Sequence, residues 1–234
     1  MGTLRVFLAL CVVISHSGDS FLGFELPGGY QAVQLFFIIS GFYMEFILST
    51  KYNDNRSFYI NRFLRIFIPY WGWLLTIIVF DFIILAVYQK TFELAPYLNS
   101  SFRDQYHFFE IFFVTVANVG IFFQDVITLL NDSKILGLEP FLMINPAWSI
   151  GIELTLYLLV PLLHKLKTIN LSFIIVFFIS LRLYSYWHWG INEVVNHGFG
   201  NRFFPFELPL FIMGMLSCRL FFKLQTSNFK QYWY

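Results

Sequence analysis

The sequence predicts an all-α fold, a polytopic transmembrane bundle of about seven spanning helices. Two observations carry that prediction. The 234 residues are 58% hydrophobic, 22% aromatic and only 12% charged, with a mean hydropathy of +0.66; a soluble domain would carry about a quarter charged residues. The apolar residues also fall into long runs, each near the ~20 residues that cross a bilayer, with short polar stretches between them.

The same numbers exclude other classes. A formal net charge of +1 and the lack of an arginine-rich patch argue against a nucleic-acid partner. Cys11 and Cys218, both in apolar segments, read as small buried hydrophobes. No His/Cys/Asp/Glu cluster has metal-ligand spacing, and neither H-E-x-x-H nor a glycine-rich phosphate loop is present, so no metal is expected.

The first predicted helix covers about Leu4–Leu22, and Ser17-Gly18-Asp19-Ser20 loosens its end. It begins like a secretory signal, with Arg5 before Val6–Ile14, but no A-x-A-like cleavage site follows, so it is read as a retained helix. Arg5 and His16 lie eleven residues apart. At about 100° per residue that is three turns plus roughly 20°, so they share a face, with a rise of roughly 16 Å between them. Ionisable groups inside spanning helices are costly and usually line a cavity or pathway. On spacing alone, the favoured reading of His16 is a histidine hydrogen-bonding at a helix end.

Phe24–Gly29 is a turn, and the second helix covers about Tyr30–Leu48. Its Ser40-Gly41 pair would let another backbone approach closely. A polar loop, Ser49–Ser57, leads to the most basic junction of the chain, with Lys51, Arg56, Arg62 and Arg65. The positive-inside rule places that junction, the N-terminus and Arg5 in the cytoplasm. Arg62 and Arg65, at i and i+3, share a helix face and suit bidentate phosphate contacts; topogenic, snorkelling cations are the other reading.

A third helix follows at about Ile66–Val87, interrupted by Asp81, then a polar link, Gln89–Tyr106, and a fourth at about His107–Phe123. Asp125–Glu139 is mixed and reads as an interfacial or re-entrant segment. The fifth helix, about Pro146–Leu163, opens on Pro146, sound chemistry for a first turn. It carries Glu153 one turn before Tyr157, read either as a charge-stabilising group or as a carboxylate favoured near a helix start. The sixth, about Leu171–Trp189, contains Arg182, a mid-span charge expected to pair with Asp81. The seventh is about Phe203–Phe222 and contains Glu207 and Gly214. Simple alternation puts the small His164–Lys167 basic cluster outside, against the charge rule. No internal repeat or separate soluble domain is evident.

In order and spacing, these blocks resemble the membrane-bound acyltransferase family called acyltransferase-three. Its mark is an arginine and a histidine with ten residues between them in the first helix, here Arg5 and His16. Leu35–Phe42 (LFFIISGF) is similar to its second-helix block, and Arg62–Ile66 with Pro69-Tyr70-Trp71 to its basic block. Trp148–Glu153 (WSIGIE) with Tyr157 and Pro161 is similar to its tryptophan–glutamate–tyrosine block, and Glu207–Gly214 is a weaker match. The chain departs from the pattern at Gln34, where the family is often acidic, at Ala32, and at Asn61, where a third arginine often stands.

The resemblance implies transfer of an acyl group, commonly acetyl from acetyl-CoA, to a hydroxyl of a cell-surface or secreted glycan. It implies His16 and Glu153 as catalytic groups and Arg5, Arg62 and Arg65 as the grip on the CoA donor, with no metal. The expected partners are acyl-CoA, a glycan or polysaccharide acceptor and the lipid bilayer. The expected setting is a bacterial cytoplasmic membrane with the N-terminus inside. The family usually has more spanning helices, so residues 1–234 are expected to form a single acyltransferase domain, incomplete at its C-terminus. Two alternatives stand beside this: a permease using Arg5, His16 and Glu153 as a charge pathway, and an inactive truncated acyltransferase.

Overall fold

Apolar runs with few interior breakers fold as helices, because a chain surrounded by hydrocarbon must satisfy its own backbone hydrogen bonds. The structure, a computed structural model, describes residues 2–17, 20–21, 24–25, 28–52, 54–99, 104–132, 137–190 and 202–231. Its helices are α1 (Gly2–Ser17), α2 (Gly29–Thr50), α3 (Asn55–Tyr88), α4 (Ala95–Leu98), α5 (Phe108–Gly120), α6 (Gln124–Asp132), α7 (Trp148–Lys165), α8 (Thr168–Trp189) and α9 (Phe204–Gln231). Between α1 and α2 the backbone makes a two-residue antiparallel pairing, Ser20 with Glu25 and Phe21 with Phe24.

Among the described residues, four helical segments are long and apolar enough to cross a membrane: Gly29–Thr50, Asn55–Tyr88, Thr168–Trp189 and Phe204–Gln225. The other three expected spans do not reach that standard. α1 has 16 residues and α5 has 13, while α7 has 18 but carries Glu153, His164 and Lys165. Large side chains on the long helices face outward, such as Leu75 at 62% and Phe173 at 67% exposure, as a lipid-facing surface requires.

The basic block before the third predicted helix is itself helical. α3 is one helix of 34 residues running through Pro69. A proline inside a helix forfeits one backbone bond but is tolerated in apolar helices. Asp81 does not interrupt it. The Asp81 carboxylate accepts the backbone N–H groups of Leu94 at 2.7 Å and Phe92 at 3.3 Å, tying the following turn to the helix. Pro146 lies in a short 3₁₀ turn, Asn145–Ala147, and the α-helix begins at Trp148.

The contacts divide the chain into two compact units. The first comprises Met1–Asn55, Leu158–Trp189 and Pro205–Tyr234; the second comprises Arg56–Tyr157 and Gly190–Phe204.

In the first unit, Leu8 and Cys11 of α1 are buried against Ala32 of α2, with Val12, Phe36 and Ile39 packed around them. The backbones of α2 and α9 touch. A Cβ at Gly41 would overlap the Phe211 carbonyl, and one at Gly214 would overlap the Ile38 carbonyl, so each glycine admits the other helix. The Ser40-Gly41 expectation holds, with α9 as the approaching helix. Cys11 and Cys218 are free and fully buried.

In the second unit, Asn118 of α5 is a buried hub. Its Nδ2 donates to the Phe141 carbonyl at 2.7 Å and to Tyr97 Oη at 2.9 Å, and its Oδ1 accepts from the Met143 N–H at 3.1 Å. Tyr70 of α3 donates to the Asn118 carbonyl at 2.6 Å. These bonds hold the stretch leading into α7. The Asp125–Glu139 region folds inward as far as it is described: Gln124, Asp125, Ile127 and Thr128 of α6 and Leu138 are buried.

Candidate functional site

The first unit contains Arg5 and His16. The buried α1 face at Leu8 and Cys11 fixes the helix rotation, so Arg5, three residues before Leu8, lies against α2. Its guanidinium donates to Ser40 Oγ at 3.0 Å and lies 5.2 Å from the centroids of both the Phe36 and Tyr43 rings. Two aromatic faces and one hydroxyl hold the cation in place on an otherwise apolar surface.

His16 is in the last turn of α1 and is exposed. Its Nδ1 is 2.8 Å from the Val12 carbonyl. A carbonyl only accepts, so Nδ1 carries the proton, and in the neutral ring Nε2 keeps its lone pair. The helix-end hydrogen bond and a role as base are therefore compatible: the bond selects the tautomer a base needs.

The second unit contains Arg62, Arg65 and Glu153. Although Arg62 and Arg65 are three residues apart on α3, Arg65 is exposed and Arg62 is buried, with 7% exposure. The Arg62 guanidinium lies 5.9 Å from the centroid of Phe58 and 6.0 Å from that of Tyr157. Its Nε has no hydrogen-bond partner among the described residues. The Tyr157 hydroxyl donates to Glu153 Oε1 one turn earlier on α7. Tyr157 thus links Arg62 and Glu153 in one cluster.

Gly151 positions this part of α7. A Cβ there would lie 2.9 Å from the Ile121 carbonyl. That carbonyl belongs to the α5–α6 turn, where Ile121 (φ 67°) and Phe123 (φ 68°) take the left-handed conformation. A β-branched residue there is strained, and the surrounding packing must over-determine it. Asp125 follows in the first turn of α6. Burial pushes its carboxyl up to about 6, against the smaller opposing effect of the Val126 and Asp125 backbone N–H groups. Trp148 stacks with the Arg202 guanidinium, 5.5 Å from the ring centroid. The same unit holds a cavity of about 560 Å³ lined by residues that include Trp73, Glu93, Leu142 and Met143. Partial burial, and then the nearby Asp81, raise the Glu93 carboxyl.

The expected pairing of Asp81 with Arg182 is corrected. Asp81 caps the turn at residues 92–94, as above. Arg182 donates from Nε to Tyr186 Oη at 3.0 Å, from Nη1 to the Phe206 carbonyl at 3.4 Å, and from Nη2 to Tyr30 Oη. Each charge finds its partners within its own unit.

Two polar groupings of the first unit escape sequence reasoning. Glu45, 2% exposed, accepts Arg219 Nε at 2.7 Å and contacts His164 Nδ1 at 3.1 Å; Arg219 also caps α7 and its turn by donating to the carbonyls of His164 and Leu166. The other surrounds Arg182 and includes Tyr30, Gln34 and Glu207. Glu45 and Arg219 are 174 residues apart, and no local spacing joins them. The available signal was only that charges in apolar helices need partners.

Comparison with known proteins adds the following. A family model for acyltransferase-three, described as an acyltransferase domain, matches residues 2–234. An uncharacterized protein of Aquifex aeolicus (strain VF5) is 37% identical over 94 residues, which cover 40% of this chain and 38% of that protein. The chain therefore spans well under half the length of this curated relative. No solved structure matches the chain.

Proposed function

This chain belongs to the acyltransferase-three family of membrane acyltransferases, and we propose that it transfers an acetyl group from acetyl-CoA to a hydroxyl of a cell-surface or secreted glycan. The observation that carries this reading is Arg62, a buried guanidinium seated on two aromatic rings with Nε unbonded among the described residues. A cation desolvated without a carboxylate partner is costly unless an anion completes it. Phosphate suits it, since a guanidinium fork matches phosphate oxygens in plane. The exposed Arg65, one turn along α3, supplies a second cation for a polyphosphate donor.

Glu153 acts through Tyr157. By accepting a hydrogen bond from the phenol it fixes the ring against which Arg62 lies, which makes Glu153 a positioning residue for the donor grip. Arg5, held by Ser40, Phe36 and Tyr43, adds fixed positive charge to α1.

His16 supplies the base. Its Nε2 takes the acceptor hydroxyl's proton as the oxygen attacks the thioester carbonyl. Collapse of the tetrahedral adduct breaks the C–S bond, and the departing CoA thiolate takes the proton back from the imidazolium, so no net proton is consumed. The Nδ1–H bond to the Val12 carbonyl holds the ring orientation throughout and stabilises the imidazolium. The setting we infer is a bacterial cytoplasmic membrane with the N-terminus inside, following the basic junction at Lys51–Arg65.

The test is transfer of labelled acetyl from acetyl-CoA into envelope material by membranes bearing wild-type protein or His16→Ala. Label that depends on His16 supports the reading. Equal label from both membranes removes His16 from the chemistry. Solute uptake by the wild type without thioester consumption replaces the enzyme reading with the permease.

A further inference from the structure

Glu207 is the least explained polar group of the first unit. It lies in the first turn of α9 with 0% exposure, and neither carboxylate oxygen has a hydrogen-bond partner among the described residues. Buried carboxylates are almost always bonded, so a carboxylate with no partner among the described residues is a candidate to hold a ligand. Arg182 lies within electrostatic reach of it but directs its N–H groups to Tyr186, Phe206 and Tyr30. Tyr30 Oη also accepts from Gln34 Nε2 at 2.6 Å. Tyr30, Gln34, Arg182 and Tyr186 are all half-buried, so hydroxyl, amide and guanidinium groups near the buried carboxylate are partly accessible.

The cluster lies at the His16 end of the unit. A Cβ on Gly29 would come within 2.7 Å of Ser15 Oγ, so α1 and α2 touch there, and the next residue on each helix is His16 or Tyr30. We propose that Glu207, Arg182 and Tyr30 form a carbohydrate-binding site in which the carboxylate accepts hydroxyls of the acceptor sugar and the rim donates to its oxygens.

The charges select the ligand class. A phosphorylated ligand is repelled by Glu207, a cationic one by Arg182, and an apolar one leaves the carboxylate bare. A neutral polyol offers both donors and acceptors and satisfies the whole set. This inference rests on the glycan-acceptor reading above and names where that acceptor is held.

The experiment uses the full chain in lipid nanodiscs, with methyl β-D-glucopyranoside and N-acetylglucosamine as probes, read by saturation-transfer difference NMR. Acetyl-CoA affinity is measured on the same samples. The wild type is expected to bind a probe sugar, and Glu207→Gln to bind it at least about tenfold more weakly, since a charge-assisted hydrogen bond is lost. Tyr30→Phe, which removes only a rim hydroxyl and tests the site should Glu207→Gln fail to fold, is expected to weaken binding as well. Acetyl-CoA affinity stays unchanged in both variants. Equal sugar affinity in wild type and variants overturns the site, as does a wild type that binds acetyl-CoA but neither sugar. Sugar binding that depends on Glu207, in protein that does not bind acetyl-CoA, upholds the site and overturns the donor assignment instead.

Discussion

Replacing Arg62 with Met separates a ligand-binding cation from a structural one, because the two roles predict opposite effects on stability. Arg62 is 7% exposed, its Nε is unbonded among the described residues, and its guanidinium lies 5.9 and 6.0 Å from the two ring centroids. Cation–π contacts contribute about 0.5–1 kcal/mol at exposed sites and about 2 kcal/mol when desolvated, and both of these lie near the outer distance limit. Burying the cation costs several kcal/mol, and no carboxylate among the described residues pairs with it. Methionine keeps much of the side-chain volume and removes the charge, so the protein without donor is expected to melt at the same temperature or higher. The donor should lose a charge-assisted phosphate contact of about 1.5–3 kcal/mol, which is about ten- to a hundredfold in Kd. Calorimetric titration of acetyl-CoA into nanodisc-embedded protein, alongside thermal melts by intrinsic fluorescence, reads both quantities. An unchanged Kd together with a melting temperature several degrees lower would refute the reasoning, because Arg62 would then be stabilising the fold and not awaiting an anion.

Other perturbations follow from the same geometry. His16→Ala is expected to abolish acetyl transfer while acetyl-CoA affinity stays within twofold, measured by transfer and binding assays on one preparation. Gly214→Val should prevent α9 from seating on α2, since its side chain would enter the Ile38 carbonyl; a loss of about 2 kcal/mol or more is expected in melts. Glu45→Leu leaves the Arg219 guanidinium without its carboxylate but still bonded to two carbonyls, so a loss of about 2–3 kcal/mol is expected. Asp125 gives a pH signature. Its folded carboxyl, at about 6 against 3.8, binds its proton more tightly than the unfolded one. This contribution to stability is therefore complete below the unfolded value and is lost as pH rises through about 6, a fall of about 3 kcal/mol. Asp125→Asn should flatten that part of the stability–pH curve, and an unaltered slope would exclude Asp125 as its source.

The features determined by sequence alone are those in which a local pattern has one physical solution. Composition and long apolar runs force backbone self-satisfaction, hence helices, and the Tyr30–Leu48 and Leu171–Trp189 runs form with limits no more than three residues from those predicted. The eleven-residue interval between Arg5 and His16, and the one-turn interval between Glu153 and Tyr157, are properties of helical geometry and needed no tertiary information. The Ser40-Gly41 pair announced a close helix contact but not its partner. Where two local solutions exist, sequence stopped short: the basic block Arg62–Arg65 reads as a junction before a helix starting at about Ile66, whereas α3 begins at Asn55 and carries that block.

Only tertiary structure decided which charges meet and which are buried. Arg62 and Arg65 have the same side chain at neighbouring positions of one helix face, yet one is enclosed by Phe58 and Tyr157 and the other is exposed. Arg182 is bonded to Tyr30, 152 residues away, and Asp81 to a nearby turn. The physical reason is that an apolar interior makes every polar group take a partner, but the strength of that demand says nothing of the partner's identity. Packing brings candidates within hydrogen-bond distance, and it is set by glycines and side-chain shapes distributed over the whole chain.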